Sequence, residues 1–246
     1  MDLAKNAGAN EPGNAERLKE IVKRVYELIS RQYPDASSRL LEPSRGNPVD
    51  VLVATILSQA TNDTLSERAF RELKRTFPTW EKVLEAHPLT VERALSYGGL
   101  QREKTKKIIS ALEKIRQDFG EITLAPLQDL TKEEAYEYLL SLPGVGPKTA
   151  ACVLVFGLGK PAFPVDTHIL RISRRLGLVP ERSGAGKAQA VLEEVVPDEI
   201  KLPLHVMLIQ HGRETCHSRK PRCRECSLRE ICSSLPGEGV TRERKN

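Results

Sequence analysis

Cys216, Cys223, Cys226 and Cys232, spaced C-x6-C-x2-C-x5-C, carry the first chemical signal in this chain. Thiolates ligate zinc and iron–sulfur clusters alike, so these four side chains by themselves leave the metal open. A zinc ribbon usually has two CxxC knuckles, whereas here one CxxC is flanked by single cysteines. The opening residues, MDLAKNAGANEPGN, show no apolar run of an export signal. A cytoplasmic location is therefore expected, where thiols stay reduced and clustered cysteines point to a metal and not to disulfides. Between the first two ligands, Arg219, Lys220 and Arg222 place three cations on a loop tied at both ends, a platform for phosphates. Cys152 stands apart in the run AACVLVF and reads as a small core residue.

Lys148 is the second signal. It lies in LPGVGPKTAACVLVF, where a helix end is followed by Gly144-Val145-Gly146 and a new helix opening at Pro147. Glycines flanking one apolar residue permit a tight turn, and proline suits the first helical position. Backbone amides of such a turn can hold an anion, with Val145 plugging back between the helices. A cation in the first helical turn opposes the macrodipole, which favours the unprotonated amine that Schiff-base chemistry needs. From the residues alone, Lys148 is either a surface lysine beside a phosphate or a nucleophile.

Asp166, in AFPVDTH, is the third. Aspartate is a common N-cap, and a capping carboxylate is held rigidly, which also suits catalysis. A carboxylate near a sugar stabilises oxocarbenium-like charge as a glycosidic bond breaks.

The elements that must position these residues are helical. Leu18, Ile21, Val22, Val25 and Ile29 recur at helical spacing over residues 15–32. Further helices are expected at 48–57, 64–75, 79–86, 90–95 and 104–119. Thr131 with Glu134 forms a capping box for the helix that ends before Pro143. A buried helix is expected over 149–156, then helices at 167–176, 185–196 and 202–213. No period-two strand stands out, so the fold class is all-α.

Bulk properties narrow the classes. With 39% hydrophobic residues and no run near the roughly 18–20 apolar residues of a spanning helix, a membrane protein is excluded. The net charge of +5 is mild, and 4% aromatic content disfavours a surface built to stack many bases.

Taken together, LPGVGPK, VDTH and the cysteine spacing resemble the endonuclease III family of helix-hairpin-helix DNA glycosylases, from about Leu41 to Cys232. The resemblance implies a [4Fe–4S] cluster on the four cysteines. It also implies that Lys148 attacks the sugar C1′ and that Asp166 supports departure of the base. Gly144, Val145 and Gly146 would hold the DNA backbone, and His168 would contact it or pack at its helix start. A glycosylase must extrude its target base and fill the gap. In GGLQREK, Leu100 matches the family's wedge, with Gln101 beside it. In ILSQATND, Gln59 falls one residue before the family's gap-filling glutamine, whose place is Ala60, so the gap filler is left among Gln59, Leu100 and Gln101.

The implied architecture has two helical domains flanking a DNA-binding cleft. Residues 42–160 would form a six-helix barrel with the hairpin. Residues 15–41 and 161–236 would form the cluster domain, with 1–14 disordered and 237–246 a loose tail. The implied activity is base-excision glycosylase and abasic-site lyase on double-stranded DNA with damaged bases, oxidised pyrimidines first, by a monomer without a membrane anchor. A mismatch uracil/thymine or modified-cytosine glycosylase is the alternative within the fold. A non-catalytic DNA-binding module with a metal staple is the alternative outside it.

Overall fold

A computed structural model describes residues 12–35, 46–97 and 99–235. The expectations for residues 1–11, for the start of the barrel at 42–45, for Gly98 and for the 237–246 tail lie outside these. The chain divides into two compact units: Pro43–Pro164, and Met1–Glu42 with Val165–Asn246. Among the described residues all regular structure is helical. No helix there is long and apolar enough to cross a membrane.

The unit spanning Pro43–Pro164 is built round helix α2 (Pro48–Ser58). Asn47 caps it by accepting from the Val49 N–H at 2.9 Å, and Pro48 fills the first helical position. Val49, Leu52, Val53, Ile56 and Leu57 are all buried, spaced i, i+3, i+4, i+7 and i+8 as one stripe facing the core. Against α2 pack α3 (Asp63–Thr76), α6 (Gln101–Phe119), α8 (Pro147–Cys152) and the wide turn Val153–Gly157. The short helices α4 (Trp80–Glu85) and α5 (Pro88–Ala94) brace α3 and α6, and α7 (Lys132–Ser141) leads into the hairpin. The Thr131–Glu134 capping box forms as expected.

In the other unit, α1 (Pro12–Gln32) buries Leu18, Val22, Val25 and Ile29 against α10 (Ala185–Val195) and α11 (Asp198–Glu214). α9 (Thr167–Arg175) packs on the same two helices. Two short 3-10 turns, Cys223–Glu225 and Arg229–Ile231, shape the cysteine loop.

Several boundaries differ from the sequence expectation. α1 starts at Pro12, inside the stretch expected to be disordered, because apolar period marks where a helix is buried and not where it begins. α11 starts at Asp198 and runs through Pro203. Its first turns are held by Lys201, 2% exposed, whose ammonium donates to Asp198 at 2.6 Å and Glu193 at 2.8 Å. The helix expected over 149–156 is α-helical only to Cys152 and then widens to i→i+5 pairing over Val153–Gly157. A run that is apolar all round has no period to mark such a change.

Candidate active site

The hairpin is assembled by its own residues. Leu142 leaves α7 buried, and its carbonyl accepts from the Val145 N–H at 3.2 Å. Val145 is buried, plugging the turn as the sequence suggests. Gly144 lies between them at φ +77°, the left-handed region that favours glycine. A Cβ there would also sit 2.7–2.9 Å from three carbons of the Lys107 stem. Gly146 has β-region dihedrals and caps α8, and a Cβ on it would meet nothing within 4 Å, so this face of the turn is open. Lys148 follows in the first turn of α8 with its side chain exposed, while Thr149 beside it is buried. The four residues singled out in this motif are thus brought together.

Gln59 joins them from α2. Its Nε2 donates to the Gly144 carbonyl at 3.2 Å and to Thr149 Oγ1 at 3.4 Å, and its Oε1 accepts from Lys107 Nζ at 2.8 Å. The side chain expected as a candidate gap filler is therefore engaged within its own unit. Its neighbour Ala60 is exposed at φ +51°. Leu100 adopts φ +49° as the N-cap of α6 and is 60% exposed. For a branched residue this conformation costs about 1–3 kcal/mol and clusters at functional sites. Gln101 follows, half-buried, in the first turn of α6.

In the other unit, Asp166 caps α9, its Oδ1 accepting from the Ile169 N–H at 2.8 Å. The preceding Val165 N–H donates to Gln189 Oε1 at 3.3 Å, anchoring the approach to the cap. His168 lies against Gly212 of α11, where a Cβ would come within 2.6 Å of its own Cβ, and its Nδ1 is 3.0 Å from Arg171 Nη2. Arg171 Nε donates to the Cys216 carbonyl and Nη2 to the Gly212 carbonyl, both at 2.9 Å. One turn later Arg175 Nη1 donates to Cys216 Sγ at 3.0 Å and to the His217 carbonyl at 2.8 Å. One helix thus carries Asp166 at its start and grips the cysteine loop from its far end. The sequence reading missed these two arginines as loop anchors, although their i, i+4 spacing was the available signal.

The four cysteines, each half-buried, line a cavity of about 200 Å³ together with Arg175 and Arg229. Among the described residues no three His, Cys, Asp or Glu side chains close round a single metal ion. Burial pushes the Cys226 and Cys232 thiols up from the usual range. His211, also missed, sits behind them. Its Nε2 is 3.4 Å from Cys226 Sγ and its Nδ1 is 3.2 Å from the Tyr33 hydroxyl. Burial lowers its pKa to about 4. Arg219, Lys220 and Arg222 are exposed on the loop, Lys220 at φ +51°. The Arg222 N–H donates to the Thr215 carbonyl at 2.9 Å and closes the loop at its neck.

Residues 53–198 match the family described as HhH-GPD superfamily base excision DNA repair protein. The match covers more than half of the chain, which belongs to this superfamily. Within it, the chain is 33% identical over 229 residues to Endonuclease III of Thermotoga maritima, covering 92% of this chain and 98% of that one. A relative from Arabidopsis thaliana, provisionally named a DNA glycosylase, is 39% identical over 184 residues. Those residues are 75% of this chain and 63% of the plant protein's length. The structure of a trapped Endonuclease III–DNA covalent intermediate superposes with a TM-score of 0.73 at 27% identity, covering 87% of this chain and 95% of that one. The endonuclease III family is where the chain belongs.

Proposed function

We propose that this protein is a base-excision DNA glycosylase and abasic-site lyase in which Lys148 is the nucleophile and Asp166 the carboxylate that supports it. The observation that carries this reading is the placement of Lys148. It is an exposed amine in the first turn of α8, directly after a Gly-Val-Gly turn whose outer face is open. The family's relatives act on DNA, and the trapped covalent complex of one of them fits an amine nucleophile.

The chemistry follows from these groups. The Lys148 amine attacks C1′ of an extruded nucleotide, and the base leaves with the electron pair of the glycosidic bond. Opening of the sugar ring gives a Schiff base, with O4′ taking up a proton. Loss of a C2′ proton then expels the 3′ phosphate by β-elimination, nicking the strand 3′ to the lesion. Asp166 is fixed by its cap bond with one carboxylate oxygen on Ile169, and it offers negative charge to the developing sugar cation. The exposed Leu100 at a strained backbone position is the wedge that enters the duplex. Arg219, Lys220 and Arg222 hold phosphates without reading sequence.

Cys216, Cys223, Cys226 and Cys232 would hold a [4Fe–4S] cluster. The fit rests on the donor set and the space: four thiols line a cavity several times the roughly 30 Å³ share of one water. When bound, such a group ties the basic loop rigidly to the unit.

Oxidised pyrimidines are the substrate class proposed first. Duplexes each carrying one damaged or mismatched base test the reading. Release of an oxidised pyrimidine and a nick without alkali treatment are expected. Binding to every duplex with no base released would contradict it.

A further inference from the structure

Lys107 and Gln59 form a polar bridge that the reaction outlined above does not use. The Lys107 ammonium donates to Gln59 Oε1 at 2.8 Å, and Gln59 Nε2 donates in turn to the Gly144 carbonyl at 3.2 Å. The Lys107 stem lies directly on Gly144, where no side chain could fit. These residues come from α6, the end of α2 and the hairpin, up to 85 positions apart in sequence. On the same face of α6, the Lys104 ammonium donates to the Leu57 carbonyl at 2.7 Å and to Thr61 Oγ1 at 2.6 Å. Helix α6 therefore grips the segment 57–61 that presents Gln59. Lys104 is 2% exposed.

The bridge acts on one peptide. The Gly144–Val145 peptide has its carbonyl on Gln59 and its N–H on Leu142. With both ends bonded, the peptide plane cannot rotate without breaking one of them. Gly144, at φ +77°, is a glycine with wide backbone freedom to lose. The hairpin's apolar plug, Leu142 and Val145, is buried and makes no part of the bridge. Hydrogen bonds within the protein replace bonds to water and so add little net stability; the consequence of the bridge lies in the direction it imposes on the turn.

We infer that Gln59 and Lys107 are positioning residues that latch the Gly144–Gly146 turn, and with it Lys148, in the orientation used on DNA. The inference rests on Lys148 being the nucleophile. It moves Gln59 from the gap in the duplex to the scaffold behind the hairpin, and it makes Lys107 part of the machinery through its contact with Gln59.

Gln59→Glu keeps an acceptor for Lys107 but cannot donate to the Gly144 carbonyl. Lys107→Met keeps the stem over Gly144 and removes the ammonium, and Lys107→Arg restores a donor. The readout is the single-turnover rate of borohydride-trapped adduct formation at saturating abasic duplex, measured on the full-length, metal-loaded protein. Each of Gln59→Glu and Lys107→Met is expected to slow adduct formation about tenfold or more, as small displacements of a reacting group do. The double variant should be no slower than the worse single one, because both break one path. Lys107→Arg should recover most of the rate, and thermal midpoints should change little. Unchanged rates in both single variants would overturn the latch. So would a silent Lys107→Met beside a Gln59→Glu defect that varies with the base opposite the lesion, since Gln59 would then be entering the duplex. Failure of the wild type to form any adduct would instead strike at Lys148 itself.

Discussion

Arg175 and Cys216 are joined by a 3.0 Å hydrogen bond from the guanidinium to the thiol sulfur, across 41 residues of sequence. The same guanidinium nitrogen also reaches the His217 carbonyl. A cation so placed stabilises a thiolate ligand and fixes the loop behind it. Arg175→Met should therefore weaken retention of the proposed [4Fe–4S] cluster about tenfold or more, in the range usual for groups that orient ligands. Iron release to a chelator, followed by absorbance, checks this. Release at the wild-type rate would contradict it.

Asp166 caps its helix in the structure and is proposed to support the reaction, and substitution can separate the two. Asparagine can still accept from the Ile169 N–H, so Asp166→Asn should keep the cap and the thermal midpoint. It should nevertheless lower base release by roughly 10²–10³-fold, the scale for a lost charge-stabilising group. Asp166→Ala should lose the same activity and in addition about 0.5–2 kcal/mol of stability. An Asp166→Asn protein with near-normal base release would leave the carboxylate a cap alone.

Acid sensitivity should follow the capping box ahead of the hairpin. The Thr131 hydroxyl, and then the Thr131 backbone N–H, hold the Glu134 carboxyl below the usual carboxylate range. The unfolded chain titrates at the ordinary, higher value, so it binds more protons over the window between the two. The stabilisation is fully present above the ordinary value and is lost as pH falls through the lower folded one. Thr131→Ala should remove the hydroxyl's share and leave that of the backbone N–H, giving a shallower loss of stability below the ordinary carboxylate value in urea titrations. An unchanged slope would contradict it.

The sequence revealed what depends on local chemistry. Thr131 with Glu134, Asp166 before a helical run, and Gly144-Val145-Gly146 each declare their conformation within a few residues, and the structure places them so. Long-range partners were not legible. Nothing in the residues near Gln59 indicates that its amide turns to Gly144, because the amide was equally suited to a DNA gap. His211 reads as one more polar residue of α11 until Tyr33 and Cys226 are found on its two ring nitrogens. The early start of α11 was hidden by Pro203, whose presence marks a boundary in most helices.

In the proposed reaction the Lys148 amine becomes covalently bound to the sugar of its substrate. Metal-loaded protein mixed with duplex DNA bearing one abasic site and treated with borohydride tests it most directly, read as a DNA-linked band and located by peptide mass analysis. An adduct on Lys148 is expected in the wild type and none in Lys148→Ala, with duplex binding retained by that variant. Absence of an adduct from active wild-type protein, or an adduct that persists undiminished in Lys148→Ala, would contradict it.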